Sequence, residues 1–459
     1  MRIAQVLILL IVVFLSAGCA TSSMFVPYPV QMESTKLNIA TSQFQVAQDE
    51  LGKKRRSTDA MLYLMERGRV SFLAKDYASS IKDFAQVIQA LERHEEKAKI
   101  TLTGTMGQGA SLLTNDNAIP YVGAGYERVF VHHYQALNYL FTGDLEAAGV
   151  EVRRANLEQQ LALKRHEEEL DKAMEGRQAK RIQAGDVSAS DKLASLSALA
   201  GSVKNSFQNA YTFYVSGLIY EAMGEYNNAL IDYKKALEIF PDNEFVIADV
   251  VRLANKLGFD EDSERLGGKV RKHLQRTPNT DEGKVVIIYE YGYVPKKHEI
   301  GIPFGTHQQM QLITLPTYID LPISSPPLKL DVPNAKTQPI INVSALAAKA
   351  LQEKMPMAVV RQVSRIFLRE THARSNDNLL SAVASLGHLV LNTADRRSWL
   401  TLPATVQIAH AFVEQGERTF NLNIGSKQLV LPVSVKAGKT TLIYVNYADG
   451  QIHSNTVRI

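Results

Sequence analysis

The feature that most constrains this chain is a spacing of small and aromatic residues between Phe213 and Pro241. Gly217, Tyr220, Gly224, Tyr226, Ala229, Tyr233, Ala236 and Pro241 recur at intervals that suit two antiparallel helices in close contact. Small residues at 217 and 229 let the helix axes approach, and Tyr220 and Tyr233 fill the space beside them. Gly224 ends the first helix and Pro241 stops the second. Two weaker copies precede it. Gly68, Phe72, Asp76-Tyr77, Ser80, Phe84 and Val87 form one, and Ala136, Tyr139, Gly143-Asp144-Leu145, Ala148, Val152 and Ala155 the other. The turn recurs as Lys75-Asp76-Tyr77, Gly143-Asp144-Leu145 and Gly224-Glu225-Tyr226. A degenerate fourth pair follows from Phe245 to about Lys272. One pair cannot bury its own apolar face, so several must stack.

These offsets resemble the tetratricopeptide (TPR) repeat. An irregular helical bundle is the bland alternative. The copies are not contiguous: Asp76 and Asp144 lie 68 residues apart, twice the ~34-residue period. The surplus, Lys97 to Arg128, is rich in glycine. A second surplus holds a charged helix, Lys164 to Arg181, and a small-residue stretch around Val187 to Ser202. In TPR repeats the concave face is lined from the first helix of each copy. Here the resemblance implies Met65, Arg69, Phe72 and Leu73, then His133, Leu137, Leu140 and Phe141, then Tyr214, Leu218, Glu221 and Ala222. That groove is apolar and aromatic, suited to an amphipathic helix, a hydrophobic segment or one of the chain's own insertions. Only Arg69 could receive a peptide carboxylate there.

The single cysteine, Cys19, follows Met1-Arg2, an apolar run from Ile3 to Leu15, and Ser16-Ala17-Gly18. Charged start, short apolar run and small-residue site read as a secretory signal. The run is too short for a spanning helix, which needs about 20 residues; an uncleaved anchor is the alternative. Leu15-Ser16-Ala17-Gly18-Cys19 resembles a bacterial lipobox, although its leucine stands four residues before the cysteine and Ser16 holds the place three before. The resemblance implies a signal peptide over 1–18, acylation (palmitate) of Cys19 as mature N-terminus and, with Ala20 in second place, sorting to the outer membrane on the periplasmic side. With one cysteine, an intramolecular disulfide is impossible.

We divide the chain into the signal peptide 1–18, a lipidated tether and N-terminal helix 19–57, a TPR-like helical domain with insertions 58–276 and an α+β domain 277–459. Ala20 to Val30 reads as the tether. The predicted fold is an all-α array followed by an α+β region ending in an antiparallel β-sandwich or meander. In the last region Lys284–Tyr289 reads as a strand. Val343–Glu353 and Met357–Arg369 read as helices broken at Pro356, the second buried through Val359, Val363, Ile366 and Phe367. Asn378–Leu391 reads as a further helix. Five strands follow at hairpin spacing: Thr405–Phe412, Glu417–Ile424, Gln428–Val435, Lys439–Asn446 and Gln451–Arg458.

Charge is balanced, 51 Lys+Arg against 47 Asp+Glu, and no basic run points to nucleic acid. No phosphate loop, H-E-x-x-H or G-x-S-x-G elbow occurs. His132 and His133 point about 100° apart on a helix and cannot share a metal from one face. No cofactor and no metal is expected. Tyr121-x-Gly123-x-x-Tyr126-Glu127-Arg128 is either a helix cap, with Glu127 at a helix start, or a docking edge; the cap is the simpler reading. With Ala394-Asp395-Arg396-Arg397-Ser398-Trp399 and Leu402-Pro403 it is similar to a family of bacterial TPR-containing outer-membrane lipoproteins to which no settled activity attaches. The expected function is therefore a non-enzymatic adaptor that binds protein partners in the cell envelope. The alternative is a peptidoglycan- or glycan-active enzyme, which would need paired carboxylates; Asp320, Asp331, Glu353, Glu370, Asp377, Asp395, Glu414 and Glu417 are scattered.

Overall fold

A computed structural model describes residues 23, 26–54, 57–101, 116–180, 193–268, 274, 278–305, 310–319, 325–331, 336–372 and 393–459. The signal-like segment with Cys19, the Asn378–Leu391 helix and the side chain of Phe367 lie outside the described residues.

After a single turn, Tyr28–Gln31, come α1 (Glu33–Ala40) and α2 (Phe44–Lys53). Tyr28 and Met32 are fully buried, and the Tyr28 hydroxyl donates to Glu66. The end of the expected tether is therefore packed into the fold. Helix pairs follow: α3 (Ala60–Leu73) with α4 (Tyr77–Thr101), and α5 (Gly125–Phe141) with α6 (Leu145–Lys180). The charged helix expected from Lys164 is the continuation of α6. After α7 (Ala194–Ala200) come α8 (Ala210–Ala222) with α9 (Tyr226–Ile239), and α10 (Glu244–Leu257) with α11 (Asp260–Gly267).

The pair contacts follow one rule of complementary size. A Cβ at Gly217 would lie 2.4 Å from Tyr233 Cε1, and one at Gly68 would lie 2.9 Å from Phe84 Cζ. At the equivalent places in the middle pair stand Ala136 and the smaller Val152, both fully buried. The turn residues Lys75, Gly143 and Gly224 all adopt positive φ, at 63°, 83° and 79°. Glycine does so without the steric cost that Lys75 carries.

Among the described residues, the β-rich part has three sheets. The largest runs β10-β9-β1-β6-β5, with β1 Glu282–Tyr291, β5 Gln338–Asn342, β6 Thr405–Glu414, β9 Thr440–Ala448 and β10 Gln451–Arg458. β2 (His298–Gly305) pairs with β3 (Met310–Thr317), and β4 (Lys329–Leu330), β7 (Gly416–Ile424) and β8 (Lys427–Val435) form the third. β1 pairs antiparallel with β6 but parallel with β9, so the large sheet is mixed and not the all-antiparallel arrangement expected. α12 (Val343–His372) is one helix that contains Pro356, rather than two broken there.

β1 is buried along both faces, as a central strand covered on two sides must be. Val285, Ile287 and Tyr289 pack with Phe420, Leu422 and Val433 of the small sheet. Val286 and Ile288 join the core of the helical array, together with Leu442 and Tyr444. The array and the large sheet thus share one hydrophobic core.

Candidate functional site

The concave side of the repeats meets the inner face of the large sheet, and four buried carboxylates lie at that joint. Glu290, in β1, is fully buried. It pairs with Arg69 of α3 and accepts hydrogen bonds from the hydroxyls of Tyr134 at 3.0 Å, Tyr211 at 3.1 Å and Tyr444. Arg69 also donates to Tyr444 Oη at 2.8 Å and lies 4.4 Å from the Tyr134 ring centroid. Burial alone would lower the Arg69 pKa; the Glu290 charge, together with Tyr134 and Tyr444, outweighs it and raises the pKa.

The other groove residues lie in the same interior. Phe72 sits edge-on to Tyr444 at 5.2 Å, and Phe141 stacks on Tyr77 at 5.5 Å. Leu137, Leu140 and Leu218 are buried. His133 Nδ1 is 3.2 Å from Thr212 Oγ1, and burial lowers its pKa to about 3. The neighbouring His132 instead meets Glu151 at 2.7 Å. This corrects the expectation that these side chains face a partner: the groove is filled by the chain's own sheet. The physical reason is the apolar face that β1 and β9 turn towards it, which has to be covered.

A second carboxylate, Asp249 of α10, binds Lys284 of β1 and lies 3.5 Å from His410 of β6. It also accepts from Tyr214 Oη at 3.2 Å and Arg252 at 2.8 Å. Arg252 in turn holds Glu221 at 2.7 and 2.8 Å. Tyr214 and Glu221, both expected to face a partner, are thus parts of an internal ion cluster.

Two further carboxylates hold the loop that runs from Ala394 to Thr401. Glu66 accepts from the backbone of Leu400 at 2.7 Å and Thr401 at 3.1 Å, from the Thr401 hydroxyl and from Tyr28. Burial raises its pKa to about 7 against these bonds. Glu127 accepts from the backbone of Ala124 at 2.7 Å, which caps α5, and from the backbone of Trp399 at 2.7 Å. The hydroxyls of Tyr121 and Tyr126 donate to the same carboxylate. Glu127 thus both caps the start of α5 and holds a loop of this same chain. Arg128 binds Glu95 and Glu158. Trp399 is fully buried, 5.8 Å from Phe84 and 5.9 Å from Tyr134.

Arg397 completes this corner. It binds Asp59 at 2.8 Å and Asp395 at 2.9 Å, and donates to the carbonyls of Ile119 and Asp116. Beside it opens a cavity of about 240 Å³ between the start of α5, β3, α12 and the loop. Both motifs singled out in the sequence line it. Among the described residues, no group of three or more His, Cys, Asp or Glu is placed to hold a metal ion. No helix of the described residues is long and apolar enough to cross a membrane.

Sequence reasoning missed Glu66, Asp249, Lys284 and Glu290. For two of them a signal was present: Asp249 and Glu290 are each a charge set inside an apolar run, as in Val286-Ile287-Ile288-Tyr289-Glu290-Tyr291, whereas Glu66 and Lys284 stand beside other charges. A charge so placed is buried with a partner or not buried at all.

Residues 210–243 match the tetratricopeptide repeat family. The chain carries a TPR repeat. That match spans α8 and α9. Among solved structures the chain is similar to the TPR2AB-domain:pHSP90-complex of yeast Sti1, at 12% identity over 52% of this chain and 88% of that one, with a TM-score of 0.21. Overlap of that quality carries no argument about function. Comparison with curated proteins finds no match.

Proposed function

We propose that the protein is a non-enzymatic scaffold that binds protein partners in a cell-envelope assembly. It would be held to the periplasmic side of the outer membrane by a lipid on Cys19. The observation that carries the scaffold reading is the TPR repeat over residues 210–243 within a stacked helical array, an architecture built from repeated interaction surfaces. The repeats already hold a protein surface, the chain's own sheet, through Arg69, Tyr134 and Tyr211. External partners would then meet surfaces other than the filled groove. The anchor rests on the Leu15–Cys19 stretch and on Cys19 being the only cysteine. Tethering would raise the local concentration of whatever is bound.

The enzyme reading draws little support from the carboxylates of the C-terminal half. Asp331, Glu353, Asp395 and Glu414 sit in separate contacts with Asn421, Ser206, Arg397 and Arg418. The test is in-cell photo-crosslinking from exposed positions such as Leu157 and Ile231, with fatty-acid labelling alongside. We expect capture of a defined envelope protein from wild type, and loss of label with Cys19→Ser. No reproducible partner would refute the scaffold, and equal labelling of both would refute the anchor.

A further inference from the structure

We propose that the cavity beside Arg397 binds a small organic carboxylate, an anionic group on a short apolar body. Its wall has two characters. Leu315 and Pro316 of β3 and Ala347, Ala350, Leu351 and Ala358 of α12 make an apolar patch. Lys297, Lys354, Arg361 and Arg397 bring positive charge to the same space, and Asp116, Glu127 and Asp395 bring negative charge.

How those charges are already used decides what the cavity can take. Arg397 is saturated by two carboxylates and two carbonyls. Asp116 is shared between Arg361 and Arg365. Glu127 accepts from two hydroxyls and two backbone amides. The two lysines are different. Lys297 donates one hydrogen bond, to the Arg397 carbonyl at 2.7 Å. Among the described residues, neither Lys297 nor Lys354 belongs to an ion pair. Burial lowers the Lys297 pKa, and the charges of Lys354 and Arg397 push the same way; Asp395 and Glu127 oppose them in part. Lys297, half-buried against the apolar wall, and Lys354, exposed at the rim of the same cavity, would both be stabilised by an anion placed beside them.

The same inventory separates a carboxylate from a phosphate. Phosphate sites draw on open helix N-termini and free guanidinium forks. Here the start of α5 is already capped by Glu127 and the Arg397 fork is filled, while Arg361 faces the Asp116 carboxylate at 3.4 Å. The volume, about 240 Å³, is below the range of drug-sized pockets and fits a body the size of one amino-acid side chain. A free organic acid and a peptide C-terminus both present this chemistry. The site does not depend on the scaffold reading.

Calorimetric titration of the full chain in detergent micelles tests it. The probes are 4-methylpentanoate, the neutral 4-methylpentanamide, and N-acetyl-alanyl-leucine with a free or an amidated C-terminus. We expect a carboxylate probe to bind about ten-fold more tightly than its amide. Lys297→Met, which keeps the apolar stem, should weaken the acid by a similar factor, and Lys354→Met should weaken it too. Binding of the dipeptide acid alone assigns the site to peptide termini, and binding of both acids to small carboxylates in general. Equal binding of acid and amide, no binding of any probe, or full affinity in both lysine variants at wild-type melting temperature would overturn the proposal.

Discussion

Replacing Glu290 by glutamine keeps the side-chain shape but removes the negative charge at the centre of the joint. Arg69, fully buried, then has only neutral acceptors, Tyr444 Oη and the new amide oxygen, and no counter-charge, and its Nε already lacks a partner. Breaking a buried ion pair from one side costs about 3–5 kcal/mol. The reverse change is milder. Arg69→Met leaves Glu290 with three tyrosine hydroxyls and Asn446 as donors, so the loss is that of one charged hydrogen bond, about 1.5–3 kcal/mol. The pair of variants therefore gives an asymmetry that a simple contact count would not. Combining them should cost less than the sum, by about 2 kcal/mol, because neither partner is left alone. At about 2.1 cal/mol/K per residue, a cooperative unit of this length loses about 1 °C of melting temperature per kcal/mol, so urea titration is the better assay. Trp399, the single tryptophan, sits buried beside the joint and reports its opening by fluorescence, while circular dichroism follows the helices. Arg69→Met costing as much as Glu290→Gln, or Glu290→Gln leaving the urea midpoint unchanged, would refute the reasoning.

The helix contact in the third pair should resist enlargement: Gly217→Ala and Ala229→Leu should each cost about 1–3 kcal/mol, read in the same titration. Leu137→Glu places a carboxylate at a position with no solvent exposure. It should cost several kcal/mol and show as a collapsed melt rather than as a folded protein with lost binding. Glu66, whose pKa burial raises to about 7 in the folded state, contributes stability below its unfolded value near 4.5 that is lost as pH rises through 7. Glu66→Gln should therefore gain on wild type in melting temperature between pH 4.5 and 8, and a pH-independent difference would refute this.

Much of the array was legible because its spacing is mechanical. Gly217 with Tyr233, and the three turns at residues 75, 143 and 224, are local constraints that a linear pattern carries. The last five strands were legible for a similar reason: Phe420, Leu422 and Ile424 alternate between glycine-bearing turns. β2, β3 and β5 were not seen, because Pro303, Pro316 and Pro339 stand inside them and read as breaks. The parallel pairing of β1 with β9 leaves no local mark. The groove illustrates the deeper limit. Its apolar lining was readable, but an apolar surface has the same sequence whether a partner or the chain itself covers it. Only the charges set inside apolar runs, Asp249 and Glu290, hinted at the second outcome, since each needs a partner inside the fold.

The insertion of β1 between β6 and β9 sets an order of events in time. Arg69 and Tyr444, which share a hydrogen bond, are 375 residues apart in the chain. At a synthesis rate of about 5–20 residues per second, roughly 20–75 s separate their appearance. Within that interval the repeats are complete by residue 267, β1 by residue 291 and its neighbour β6 by residue 414, while the other neighbour, β9, and with it the rest of the cover for the concave face, is still to come. The newborn chain is thus sticky along the surface that its finished form conceals. Its dependence on holding factors should be greatest just before residues 440–448 arrive.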